Sequence, residues 1–78
     1  MKITQDALEI IFSTITTGDR AKAFAGIVWD ILSRANTFNE ARSIAKAKFG
    51  SGNQAVTAML PYVTYAIDLV ENSGYTLK

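Results

Sequence analysis

The chain of 78 residues contains neither cysteine nor histidine. Without cysteine it can form neither a disulfide framework nor a thiolate metal site. Without histidine it lacks the commonest general base, the commonest zinc ligand and the usual side chain for sensing pH near neutrality. We therefore expect a protein that is not an enzyme and that binds no metal or cofactor.

Charge of one sign and long apolar runs are also scarce. The net charge is +1, so the field of the whole molecule is weak. The longest uncharged stretch, residues 49–67, is interrupted by two glycines and Pro61, so it is not predicted to span a membrane. The N-terminal segment has neither the basic start nor the apolar run of a signal peptide. These absences predict a cytoplasmic protein with no membrane contact.

What the chain does contain is ample material for a core, since 49% of its residues are hydrophobic. Its length suits one domain covering residues 1–78. Apolar residues recur at helical spacing in four segments, near residues 4–17, 19–35, 38–49 and 52–72. The fold class is therefore predicted to be all-α, a compact bundle of four helices, or five if Pro61 splits the last.

The arrangement of these helices can also be predicted. The second segment has the widest apolar face, which favours a central position. We expect its first turn to be capped by Thr17 or Asp19. Residues 75–78 have a strand-like composition and are predicted to pair with residues 2–4.

Two helix-start signals lie close together in the middle of the chain. Thr37-x-x-Glu40 and Ser51-x-x-Gln54 both have the form of a capping box. Gly50, between them, suits the left-handed residue that ends many helices. The stretch 38–60 is therefore predicted to be helix, tight turn, helix.

Candidate catalytic groups are few. The carboxylate pairs Asp6/Glu9 and Asp68/Glu71 have the spacing of one helical turn, but they fall on predicted polar faces. Such pairs are usually solvated, so we expect no acid–base or cation site there. The segment 50–52 has no Walker lysine, so it is not a phosphate loop.

Residues 44–60, IAKAKFGSGNQAVTAML, resemble the helix-turn-helix pattern of bacterial regulators. The shared features are an alanine in the first helix, a Phe-Gly turn, and a valine and a leucine spaced to pack the second helix. Ala45 lies one residue further from Gly50 than the pattern places it, and Ser51 stands where an apolar residue is usual. The resemblance implies nucleic-acid contacts by Arg42, Lys46, Lys48, Asn53, Gln54 and Thr57, the first three on phosphates and the others on base edges.

A protein interface is the other functional prediction. A small body with this apolar content leaves apolar area outside, and exposed aromatic residues commonly anchor interfaces. Trp29 lies at the flank of the predicted core face of the second helix, where it either caps the core or joins an interface. Tyr65 lies opposite the core stripe of the last helix. The predicted partner-binding residues are Trp29, Tyr65, Arg42 and Lys46.

The function predicted from the sequence is that of a small, non-catalytic helical binding protein that acts through protein–protein contact. It would serve as a regulator or inhibitor that masks a partner's surface, or it would self-associate as a homo-oligomer. Many accessory proteins of phages and mobile elements have this form. The alternative is a helix-turn-helix nucleic-acid-binding protein that uses residues 38–60.

Overall fold

The computed structural model describes all residues from 1 to 78 and contains four longer helices and one of a single turn. The helices are α1 Gln5–Ser13, α2 Asp19–Arg34, α3 Phe38–Phe49, α4 Gln54–Thr57 and α5 Leu60–Asn72. The predicted all-α bundle is confirmed, including the division of its last helix.

Hydroxyl caps start two of the helices. Thr4 accepts a hydrogen bond from the Ala7 N–H at 3.1 Å, and Thr37 accepts one from the Glu40 N–H at 3.1 Å. These bonds satisfy donors that a helix start otherwise leaves unpaired. The predicted cap of α2 was wrong, because Gly18 precedes that helix with φ +64 and no side chain caps it. A positive φ is costly for residues that carry a Cβ, which explains the glycine.

The turn after α3 differs from the prediction. Gly50 has right-handed angles, φ −78 and ψ −16, so its predicted left-handed conformation was wrong. A glycine is still needed there, because a Cβ would overlap the Lys46 carbonyl oxygen. The predicted cap at Ser51 was also wrong: Asn53 Oδ1 accepts from the Val56 N–H at 3.0 Å and starts α4. Asparagine caps as well as serine does, and it lies directly before the helical turn.

Pro61 divides the last helical stretch, as predicted. It is the second residue of α5, and it has no N–H to donate to the Thr57 carbonyl. Ala58 and Met59 keep helical backbone angles between the two helices. The two helices are therefore separated by two residues that keep helical geometry.

The core consists of 16 buried residues, all of them hydrophobic, and no polar side chain is buried. Helix α2 packs against α1, α3 and α5, which confirms its predicted central position. Helix α3 turns Ala41 and Ala45 inward, so its axis can approach the core closely. None of the helices combines the length and the apolar character needed to cross a membrane.

The two chain ends meet beside this core. The Ile3 N–H donates to the Thr76 carbonyl at 2.8 Å, and the Thr76 N–H donates to the Met1 carbonyl at 2.8 Å. These bonds form a parallel bridge between Lys2 and Thr76, and Ile3 is buried beneath it. The predicted pairing of the ends is confirmed.

Candidate protein-binding surface

Helix α5 presents two tyrosines to solvent. Tyr62 is 55% exposed and Tyr65 is 54% exposed, and they are three residues apart, so they share one face of the helix. We call this pair the tyrosine face. Helix α5 is anchored in the core by its buried residues Val63, Ala66, Ile67 and Val70. The exposure predicted for Tyr65 is confirmed.

A cleft opens beside Tyr62, where α1, α2 and α5 meet. Its wall is a run of three aromatic rings: Phe12 stacks on Phe24 with ring centroids 5.6 Å apart, and Phe24 meets Tyr62 at 6.1 Å. The cleft has a volume of about 210 Å³. Its lining, which we call the aromatic cleft, consists of Phe12, Ile15, Thr16, Arg20, Phe24 and Tyr62.

Trp29 lies elsewhere. It is half-buried on α2 and packs against the core, so of the two predicted alternatives its position fits a residue that covers the edge of the core. It also lines a second cleft of about 320 Å³ next to both chain ends. The structure therefore does not bring Trp29 into the tyrosine face.

Arg42 connects α3 to α5. Its Nε donates a hydrogen bond to Asp68 Oδ1 at 2.9 Å. The terminal nitrogen Nη1 donates to Asn39 Oδ1 at 2.9 Å. The second terminal nitrogen, Nη2, lies 2.8 Å from Asp68 Oδ1 and also donates to Glu71. The hydrogen bonds that Arg42 donates to Glu71 and then to Asp68 raise the pKa of Arg42. Asp68 and Glu71 are 46% and 43% exposed, as their predicted polar face implies, and the fold places Arg42 of α3 against them.

The neighbouring lysines differ in their surroundings. Lys46, one turn after Arg42, is exposed and makes no ion pair. Lys48 lies 3.6 Å from Asp30 and 5.9 Å from the centre of the Phe49 ring. Lys46 is thus the cation of this helix that is free to meet a partner.

The residues assigned to base contacts lie on a short helical turn. Asn53 uses its side chain as the cap of α4, and the Thr57 hydroxyl donates to backbone carbonyls within the same turn. Gln54 is exposed at the start of α4. The helix α4 has only four residues, so it is shorter than the recognition helix that the resemblance implies.

The acidic side chains do not gather into a metal site. No group of three or more aspartates and glutamates is placed to hold a metal ion. No buried side-chain nitrogen or oxygen lacks a hydrogen-bond partner.

None of the predicted partner-binding residues lines the aromatic cleft. Neither Phe24 nor Arg20 was among the residues predicted to bind a partner. The spacing of Arg20 and Phe24, four residues apart on one helix, is the signal that could have found them. That they meet Tyr62 depends on how α5 packs, which local patterns do not encode.

No protein-family model, curated protein or solved structure matches this chain.

Proposed function

We propose that this protein acts by binding a partner protein through the tyrosine face and the adjoining aromatic cleft. The observation that carries the proposal is the pair of half-exposed tyrosines on α5 beside a cleft with aromatic walls. Binding of this kind needs no cofactor and no catalytic group. Such a protein regulates or inhibits its partner by covering part of its surface.

The energetics of aromatic surfaces support this role. Tyrosine offers a large contact area at a low cost in side-chain entropy, since only two torsions are fixed on binding. Interface hot spots are enriched in tyrosine, tryptophan and arginine. The tyrosine face carries two tyrosines, and the cleft next to it contains Arg20.

The rigidity of the surrounding helices adds to the argument. Phe12 is fully buried at the base of the cleft, and four residues of α5 are buried in the core. A surface that is already ordered loses little conformational freedom when a partner docks. We place this binding event in the cytoplasm, and a second copy of the chain is one partner that the same surface would accept.

Affinity capture from the lysate of the native host, with and without nuclease, tests the proposal. The bait is the wild-type chain, a double variant with Tyr62→Ser and Tyr65→Ser, and a control variant, Ile10→Ser. Ile10 is 68% exposed on α1 and lies outside the aromatic cleft, so its replacement removes exposed apolar area at another place. We expect wild type and control to recover the same protein after nuclease treatment, and the double variant to lose it.

Two results would contradict the proposal. The first is equal recovery by all three baits, which would show that the tyrosine face is not used. The second is recovery that nuclease abolishes, which would favour nucleic-acid binding through residues 38–60. Anisotropy with mixed DNA at low salt then measures that binding directly, and sedimentation equilibrium of the wild type and the double variant measures self-association.

A further inference from the structure

We propose that the aromatic cleft receives a large apolar side chain from an acidic segment of a partner protein, and that Arg20 binds a carboxylate next to that side chain. The inference rests on the proposed function, because it names the chemistry of the partner at the same surface. It adds a specificity-determining residue, Arg20, and a charge that the partner must carry.

The apolar half of the inference comes from the cleft itself. Four of its six lining residues are hydrophobic, and three of these form the continuous run of rings from Phe12 through Phe24 to Tyr62. An aromatic or long aliphatic side chain that enters it gains ring contacts on several sides. The three rings belong to three different helices, and Ile15 and Thr16 lie in the loop between α1 and α2, so the packed rings form the cleft before a ligand arrives.

The charged half comes from Arg20, which is the only ionisable cation of the lining; no acidic side chain shares the cleft. The four ion pairs of the structure use Arg34, Arg42 and Lys48, so the guanidinium of Arg20 has no carboxylate partner within the chain. Arg20 precedes Phe24 by one helical turn, which places its charge beside the rings. A planar guanidinium can bind a carboxylate through two parallel hydrogen bonds.

Two hydroxyl groups join Arg20 to form the polar part of the lining, which we call the rim of the cleft. The side chains of Thr16 and Tyr62 line the cleft and make no hydrogen bond within the chain, in contrast to Thr14, whose hydroxyl donates to the Ile11 carbonyl. Both hydroxyls can donate to an incoming carboxylate or carbonyl oxygen. The rim therefore combines a cation with two available donors, and it complements an anion.

These features distinguish between classes of occupant. A basic segment would place like charge against Arg20, and such repulsion selects against it. A nucleic acid would need a row of cations along its phosphates, whereas the cleft offers one. An acidic segment with one large apolar residue matches both the rings and the charge.

Titration of the isotopically labelled protein, followed by its backbone amide resonances, tests the inference with three blocked pentapeptides. The sequence AEWEA carries the apolar anchor and its carboxylates, AKWKA reverses the charge, and AESEA removes the anchor. We expect AEWEA to shift the resonances of residues 12–24 and 62 with millimolar affinity. We expect AKWKA and AESEA to bind several times more weakly.

The matched variants are Arg20→Gln and Arg34→Gln. Arg34 is an exposed arginine of the same helix that does not line the cleft, and it pairs with Asp30. Exposed ion pairs contribute modestly, so Arg20→Gln is expected to weaken AEWEA about two- to fivefold, and Arg34→Gln to leave it unchanged. Three results would each overturn the inference. The first two are binding of AESEA or of AKWKA as tight as that of AEWEA. The third is an equal loss of AEWEA binding in the Arg20 and Arg34 variants.

The two proposals can fail separately. Loss of the captured partner in the tyrosine double variant, together with peptide shifts that ignore Arg20, would leave partner binding standing and remove the acidic-segment inference. Peptide shifts that follow Arg20, with capture unaffected by the tyrosine variants, would show that the cleft binds acidic peptides but that the captured partner uses another surface, because Tyr62 belongs to both the tyrosine face and the cleft.

Discussion

Replacing Arg42 by alanine is expected to destabilise the protein more than any other substitution of a charged side chain. Arg42 holds α3 against α5 through Asp68 and Glu71, and it also donates to Asn39 within α3. Its side chain is only 27% exposed, so solvent screens these interactions less than at an open surface. Arg34, which is 69% exposed and pairs only with Asp30, provides a control of the same residue type.

The size of the expected destabilisation follows from the number of ion pairs that Arg42 makes and from their exposure to solvent. An exposed ion pair contributes about 0.2–1 kcal/mol, and a pair four residues apart on a helix about 0.3–0.5 kcal/mol. Two tertiary pairs and a hydrogen bond therefore predict a loss of about 1–2 kcal/mol for Arg42→Ala, against about 0.3–0.5 kcal/mol for Arg34→Ala. In a domain of this size 1 kcal/mol changes the melting temperature by about 4–8 °C.

Urea unfolding followed by helical circular dichroism measures both variants. A double-mutant cycle between Arg42→Ala and the pair Asp68→Ala/Glu71→Ala isolates the coupling from lost side-chain packing. We expect coupling of about 1 kcal/mol that decreases at high salt. Equal losses in the Arg42 and Arg34 variants, or a coupling near zero, would refute the reasoning.

The pH dependence of this contribution has a definite sign. The pKa of Arg42 is raised in the folded chain, since Glu71 and Asp68 accept its hydrogen bonds. A raised pKa stabilises the fold below the pKa of the unfolded group, and this stabilisation is lost only as pH rises through the folded pKa. Both values lie far above neutrality for arginine, so the Arg42 contribution is expected to stay constant from about pH 6 to about pH 9.

Five further substitutions are measured by the same urea unfolding. Ile67→Ala removes a fully buried side chain and is expected to cost about 2–5 kcal/mol, whereas Ile10→Ala, at an exposed position, is expected to cost little; similar values would contradict the core assignment. Gly18→Ala forces φ +64 on a residue with a Cβ and is expected to cost about 1–2 kcal/mol. Gly26→Ala, with open space at a helical position, is expected to stabilise the fold by about 0.5–1 kcal/mol. If both glycine substitutions changed stability in the same direction, the argument from the φ angle of Gly18 would be rejected. Thr37→Ala removes the cap of α3 and is expected to cost about 1 kcal/mol, and no change would show that water replaces the hydroxyl.

Local signals in the sequence predicted the helices well. Thr37 provides both the cap and the start of α3, and the apolar spacing carries that helix to Phe49. The same rules misplaced the start of α4, because Ser51 and Asn53 are both good caps and the length of the preceding turn decides between them. Choosing between two adequate local signals requires the packing of the whole chain.

The candidate site was less accessible to such reasoning. The exposure of Tyr65 follows from its position on one helix, and it was predicted. The aromatic cleft depends on three helices, and the bonds of Arg42 to Asp68 and Glu71 connect residues 26 and 29 positions apart. Periodicity defines the faces of each helix but not which faces meet, so these features became visible only in the assembled fold.

The bridge between the chain ends has a mechanical consequence. Thr76 is joined by one backbone hydrogen bond to Ile3 and by another to Met1, in parallel orientation, with one chain end leaving from each side of the bridge. A force that pulls the ends apart therefore acts along the paired segments and strains both bonds at the same time. The helices behind the bridge feel that force only after both bonds have broken, so a short stretch of two segments sets the first barrier to stretching the molecule.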